Sequence, residues 1–281
     1  MSHTQVPSTL QRLTGDKGAC IAAFILLIFL LFAAFPSVFT PYDPNERFGP
    51  YGDPSSAHIL GTDDMGNDTF SVLIFATRIS LIVGICAGGL SMIIGITIGL
   101  VSGYCKGLTD DLLMGLTDIV LIIPKIPAII LIAALMKPGL WILILVLGLL
   151  SWETTARVVR ARVMQVSAAP YILSARCLGF SKPWIMTREI LPVTIPVIIP
   201  KFLLVVAGAM ISEASLSFLG LSDPTMESWG KMIADAFSYG GFIRDMWWWY
   251  LPPALCISAS VYCMVRIGMV WERPGEEAAF E

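Results

Sequence analysis

The sequence predicts an all-α, polytopic membrane protein with six membrane-spanning helices. Three observations carry that prediction. The chain of 281 residues is 56% hydrophobic and only 14% charged, with a mean hydropathy of +0.77. A water-soluble domain has no way to hide that much apolar surface, so lipid is the expected solvent. The apolar residues gather into six stretches long enough to cross a hydrocarbon core of roughly 30 Å as helix. Finally, Lys and Arg are distributed unevenly between alternate connecting segments. Arg12, Lys17, Lys106, Arg157, Arg160, Arg162, Arg176, Lys182, Arg188, Arg266 and Arg273 fall on one side. Only Arg47, Arg78, Lys137, Lys231 and Arg244 fall on the other. The positive-inside rule then places both termini in the cytoplasm.

Residues 1–17 read as a cytoplasmic N-terminus and residues 18–39 as the first span. Arg12 and Lys17 before an apolar run also suit a signal peptide. That run is too long for such a segment, and Phe35-Pro36-Ser37 is a poor cleavage site, so a retained anchor is expected. Residues 40–78 form an extracytoplasmic loop rich in turn formers (Pro41, Pro44, Gly49, Pro50, Gly52, Pro54). Residues 79–271 make a five-helix core with spans at about 79–103, 110–136, 141–157, 190–219 and 249–271. A cytoplasmic loop at 158–189 and an extracytoplasmic one at 220–248 interrupt it, and 272–281 is an acidic cytoplasmic tail. In the second span Gly84, Gly88, Gly89, Gly95 and Gly99 permit close helix contact, within the subunit or with a partner. The aromatic run Trp247 to Tyr250 is expected at the outer interface.

Several function classes are excluded. There is no basic stripe or stacking platform for nucleic acid. Neither HExxH nor a GxxxxGK[ST] phosphate loop occurs, so zinc hydrolysis and self-contained ATP hydrolysis have no seat. The histidines, His3 and His58, lie outside the spans, so no Ser–His pair forms in the membrane. Cys20, Cys86, Cys105, Cys177, Cys256 and Cys263 include no CxxC pair, which argues against a disulfide framework or structural zinc. Asp63, Asp64 and Asp68 suit hard cations but lack EF-hand spacing, so turn and helix-cap roles are expected.

The cytoplasmic loop is the most informative segment. Residues 168–178 suit a short helix with Pro170 in its first turn. Gly179 permits the positive φ of a sharp turn. Ser181 is placed to cap a second short helix containing Pro183, and Leu191-Pro192 ends the unit and opens the fifth span. A helix–Gly–helix knob held between two spans suits insertion into a partner's groove, with small Ser174 and Ala175 allowing close contact. A channel or purely structural subunit has no need of such a knob.

Three motifs then converge: His58-Ile-Leu-Gly-Thr-Asp-Asp-Met-Gly-Asn-Asp68, the loop Tyr171 to Pro192, and Glu213-Ala-Ser-Leu-Ser-Phe-Leu-Gly-Leu221 with Trp229-Gly230. With them the chain resembles the inner-membrane permeases of peptide/nickel-type ABC importers, in the second-permease branch. It departs from the pattern at Leu173, Ser174, Asn67 and Gly115. The resemblance implies a type I importer permease fold. It implies an ATPase-coupling loop that includes Tyr171, Ser174, Ala175, Arg176, Gly179, Ser181, Lys182 and Pro192. It also implies partners: a homologous second permease, two ATPase subunits that carry ATP–Mg, and an extracytoplasmic substrate-binding protein. No cofactor or metal is implied in this chain. Peptide is the expected solute, with nickel second.

Ionisable residues inside spans are functional candidates, because an unpaired charge in lipid is expensive. Asp118 and Lys125, seven apart, are expected on one helix face. Glu213 stands near the outer end of the fifth span among Ser212, Ser215 and Ser217. With Met210, Ser212, Ser217 and Asp118 it is a candidate for the pathway or its gate; the alternative is a buried carboxyl that hydrogen-bonds helices together.

Overall fold

The computed structural model describes residues 15–136, 139–221 and 223–272. Arg12, Lys137, Arg273 and nearly all of the expected N-terminal and C-terminal tails therefore lie outside the described residues. The described residues are helical apart from loops and two isolated antiparallel bridges, Arg47 with Asn67 and Thr62 with Asp68.

Asp16 starts the first helix, α1 (Lys17–Ala34), by accepting from the Gly18 and Ala19 amides. Phe35 breaks it because a residue before proline is pushed out of helical geometry, and Pro36 opens α2 (Pro36–Phe39). The next helix, α3 (Thr69–Cys105), has 37 residues and spans about 56 Å at 1.5 Å per residue. It starts ten residues before the expected Ile79, so the end of the expected loop 40–78 is helical. The early start follows from Asp68, whose Oδ2 accepts from the Ser71 amide and hydroxyl at 2.9 and 2.7 Å.

The expected span 110–136 is not one rod. It is α4 (Leu108–Ile122) and α5 (Lys125–Leu135), bent by 80° at Ile123-Pro124. Proline disfavours helix at the residue before it and removes a donor, which explains the break. Asp118 and Lys125 therefore do not share one helix face. The expected span 141–157 is likewise split into α6 (Leu140–Leu149) and α7 (Glu153–Val166), bent by 42°. Then come α8 (Pro170–Cys177), α9 (Lys182–Phe218), α10 (Trp229–Ser238) and α11 (Trp247–Glu272).

The expected break at Leu191-Pro192 is absent: α9 runs on from Lys182. A six-residue π turn, Ile185–Ile190, lies just before Pro192. The proline ring presses on the carbonyl four residues earlier, that of Arg188, which lies inside this wider turn. The knob is thus one short helix, a turn and the emerging end of a span, with no separate second helix.

Long, central α3 organises the packing. Close approach to α9 depends on glycine: a Cβ at Gly88 would lie 2.7 Å from Val206 Cγ2. Gly84 meets Met210 in the same way, while Gly95 and Gly99 admit α7. Packing within the subunit accounts for these four glycines; Gly89 faces open space. Val72, Ala76, Leu81, Val206, Met210, Trp229 and Met264 form one core, drawn from α3, α9, α10 and α11. Trp248 and Trp249 are buried with Ala236 and Met246 against Tyr51 and Leu60, and Trp247 is exposed. Two rings of the expected interfacial run are therefore core residues of the loop-bearing end.

Candidate functional site

At one end of the bundle, α8 stands out from the helices. Pro170 occupies its first turn, where the missing amide is no loss. Gly179 ends it at φ +82°. The Phe180 amide reaches back to the Ala175 carbonyl at 3.3 Å and the Gly179 amide to that of Arg176 at 3.0 Å. This is the paired closure of a Schellman turn.

The inner face of α8 is fixed by burial of Ile172 and Ala175 with Ile185 and Ile190 against Leu100, Tyr104, Val159 and Val163. Ala175 therefore uses its small size inside the subunit, not toward a partner. Tyr171, Ser174, Arg176, Gly179, Ser181, Lys182 and Pro192 are exposed, as are Leu173, Leu178, Phe180 and Trp184. Leu178 is 77% exposed. The Phe180 and Trp184 rings stack at 4.2 Å. Arg176 lies 4.6 Å over the Tyr104 ring and donates to its hydroxyl at 3.2 Å, which steadies the end of α8. The Ser174 hydroxyl donates to the Pro170 carbonyl at 3.0 Å. Ser181 takes the N-cap position of α9, with no side-chain bond to the helix.

Sequence reasoning passed over Phe180 and Trp184, the largest rings of this exposed surface. Four-residue spacing across the Gly179 turn was an available sign. It also passed over Glu153, which is fully buried and paired with Lys125. The rule that singled out Asp118 applies to Glu153 as well, since 153 falls inside the expected span. Asp118 itself faces the start of α7, where Arg157 donates to it at 2.6 Å.

At the other end, Glu213 is 2% exposed. Its Oε1 accepts from the Ser217 hydroxyl at 2.6 Å, and the Ser228 hydroxyl donates to that of Ser217 at 3.4 Å. Ser228 also caps α10 by accepting from the Lys231 amide, and Ser80 accepts from the Trp229 amide at 3.1 Å. The chain from Ser228 through Ser217 to Glu213 thus ties α10 to α9, beside the Trp229–Ser80 bond that ties α10 to α3. Met210 is buried against Gly84. Ser212 is half-buried and turns its hydroxyl to the Gly208 carbonyl. Of the pathway candidates, only Glu213 and Ser217 are brought together.

The loop before α3 folds onto the same end. Thr62 Oγ1 donates to the Gly49 carbonyl at 2.6 Å and accepts from the Gly52 amide at 2.7 Å. Asp63 accepts from the Met65 and Asn67 amides and the Asn67 side chain, and Asp68 pairs with His58 at 2.9 Å. These aspartates have the expected turn and cap roles. Between this loop and α10 lies a cavity of about 690 Å³, lined in part by Asp63, Asp64, Glu227, Lys231 and Asp235. Burial pushes the Asp235 carboxyl up to about 6; Glu227, Asp64 and Asp63 add to the shift and Lys231 opposes it.

Residues 95–270 match the family described as "binding-protein-dependent transport system inner membrane component". Residues 5–57 match the "N-terminal TM domain of oligopeptide transport permease C". A dipeptide transport system permease of Bacillus subtilis is 32% identical, over 95% of this chain and 83% of its own length. A di/tripeptide permease of Pseudomonas aeruginosa is 32% identical over 92% and 87%. A glutathione permease of Pectobacterium atrosepticum is 36% identical over 81% and 77%. The chain belongs to the family of binding-protein-dependent inner-membrane transport components, with the type I ABC permease fold. It is a multi-pass inner-membrane transporter subunit.

Proposed function

We propose that this chain is the permease subunit of an ATP-driven importer that carries peptides across the cytoplasmic membrane. Both termini lie in the cytoplasm, which puts α8 there too. A soluble binding protein delivers the peptide outside and docks on the loop-bearing end. A homologous second permease completes the pathway, and two ATPase subunits carrying ATP–Mg grip the knob around Ser174 to Lys182. When they close on ATP, the knob moves and the helices follow as rigid bodies. The chain itself contributes no cofactor and no covalent chemistry.

The observation that carries this reading is the exposed apolar surface of the α8 knob, with Leu173, Leu178, Phe180 and Trp184 on it. An isolated subunit leaves such a surface facing water, whereas a partner's groove covers it. The fully buried carboxylate of Glu213 supports a holding role for that residue over direct contact with solute. The peptide solute rests on the names of the relatives, which include dipeptide, di/tripeptide and glutathione permeases. The test is uptake of labelled dipeptides by proteoliposomes that hold the complete transporter. Uptake that requires ATP and the binding protein supports the reading. ATP hydrolysis without uptake of any peptide removes the solute assignment.

A further inference from the structure

The helix that leads into the knob, α7, is held differently on its two sides. Thr155, Ala156, Val159 and Val163 are buried, and the seam with α3 is tight. A Cβ at Gly99 would come within 2.6 Å of the Ala156 carbonyl oxygen. The other side carries Glu153, Arg157 and Arg160, spaced four and three residues apart and so in line. Each holds an opposite charge. Glu153 pairs with Lys125, as an ion pair off the direction of a hydrogen bond. Arg157 donates to Asp118 at 2.6 Å, and Arg160 grips Asp110 through two bonds of 2.6 Å.

The partners run in reverse chain order and straddle the 80° bend: Asp110 and Asp118 lie on α4, and Lys125 opens α5. The buried residues of α4 are Asp110 and Thr117, whereas Leu108, Leu112, Leu116, Ile119 and Ile122 are exposed. Side-chain attachment of α4 to α7 is therefore polar. The Arg160 rung is firm, since that pair is bidentate and shielded, whereas the Glu153 rung holds a fully buried carboxylate by charge alone. The middle rung is half open, with 53% exposure at Arg157 and 56% at Asp118, so it contributes little to stability.

We infer that Glu153, Arg157 and Arg160 form a charge ladder that couples the bent α4–α5 pair to the helix carrying the knob. A displacement of α8 travels along α7 and reaches α4 through these three pairs. Glu153, Arg157 and Arg160 are thus positioning residues. The inference rests on the importer reading given above.

The test uses the complete transporter with its ATPases, with the exposed Cys20, Cys86, Cys105 and Cys177 replaced by Ser. Spin labels at Leu112 on α4 and Leu255 on α11, both exposed, report the movement of α4 against a helix outside the α3–α7 seam, with and without trapped ATP. The expected result is an ATP-driven change with the native ladder. That change is lost in Arg160→Asp and in Asp110→Arg, and returns when the two are combined. Asp118→Asn, at the exposed rung, assembles normally and blunts the change. An unchanged response in all of these variants overturns the ladder, and so does loss without recovery in the combined variant. A distance that ignores ATP in the native transporter overturns it as well. If no ATPase assembles with the chain, the importer reading itself fails, and the absent subunits distinguish that outcome from the others.

Discussion

Phe180 and Trp184 lie face to face, with ring centroids 4.2 Å apart and planes 14° from parallel, and both remain exposed. One belongs to the turn after α8 and the other to the start of α9. The pair thus spans the Gly179 turn and sets its outer shape. Exposed aromatics held rigidly by one another are the residue type that dominates partner binding. Replacing both with Ala is predicted to weaken ATPase binding by about tenfold or more. Thermal stability of the permease changes little, since neither ring is buried. Affinity capture in detergent together with a melting curve separates the two effects.

The seam between α3 and α9 makes a matched prediction. Gly88→Ala puts a methyl 2.7 Å from Val206 Cγ2, whereas Gly89→Ala meets nothing within 4 Å. Overpacking costs about 1–3 kcal/mol. An open helical Gly→Ala change gains roughly 0.5–1 kcal/mol. The melting temperature therefore falls for the first variant and holds or rises for the second.

Glu213 is predicted to act through its hydrogen bond. Glu213→Gln keeps an acceptor for Ser217 and retains transport and stability near the native level. Glu213→Ala leaves Ser217 without that acceptor and costs about 1–3 kcal/mol. Melting curves and uptake on both variants check this. Loss of transport in the Gln variant with stability intact would return Glu213 to the pathway.

The cavity beside α10 predicts a pH dependence. The Asp235 carboxyl is raised from 3.8 to about 6 by burial, with Glu227, Asp64 and Asp63 adding and Lys231 opposing. A raised acid stabilises the fold while protonated, fully so below the unfolded value. That contribution is lost as pH rises through about 6. Asp235→Asn should therefore match the native protein near pH 4 and exceed its melting temperature at pH 8. Equal curves at both pH values would contradict the burial of this carboxyl.

The membrane class and the position of the knob were legible in the sequence. Long apolar runs, Pro170 and Gly179 leave few alternatives. Pro124 and Pro127 on either side of Lys125 announce a bent helix, but the 80° size of that bend and the bend at Leu150–Trp152 were not legible, because hydropathy measures length and ignores direction. Leu191-Pro192 looked like a boundary, yet the π turn before it keeps α9 continuous. The ion pairs across α7 join residues up to fifty apart in sequence. No local pattern announces such pairs, and Asp118 with Lys125 gave a misleading one. At the loop-bearing end, Asp63 and Asp68 read correctly as turn and cap. The partnership of Glu213 with Ser217, four residues on, was within reach of helix spacing.

The central claim, that α8 and its turn grip an ATPase, meets its most direct test in affinity capture of the tagged chain in mild detergent, with ATPase activity assayed on the eluate. Gly179→Asp serves as the comparison. The φ of +82° strains any L residue there by about 1–2 kcal/mol, and the position is open to solvent. The account predicts that the native chain brings down a second permease and an active ATPase. The variant retains the permease and loses most of the ATPase activity. A native chain that elutes alone under several conditions, or a variant with undiminished ATPase, would contradict the account.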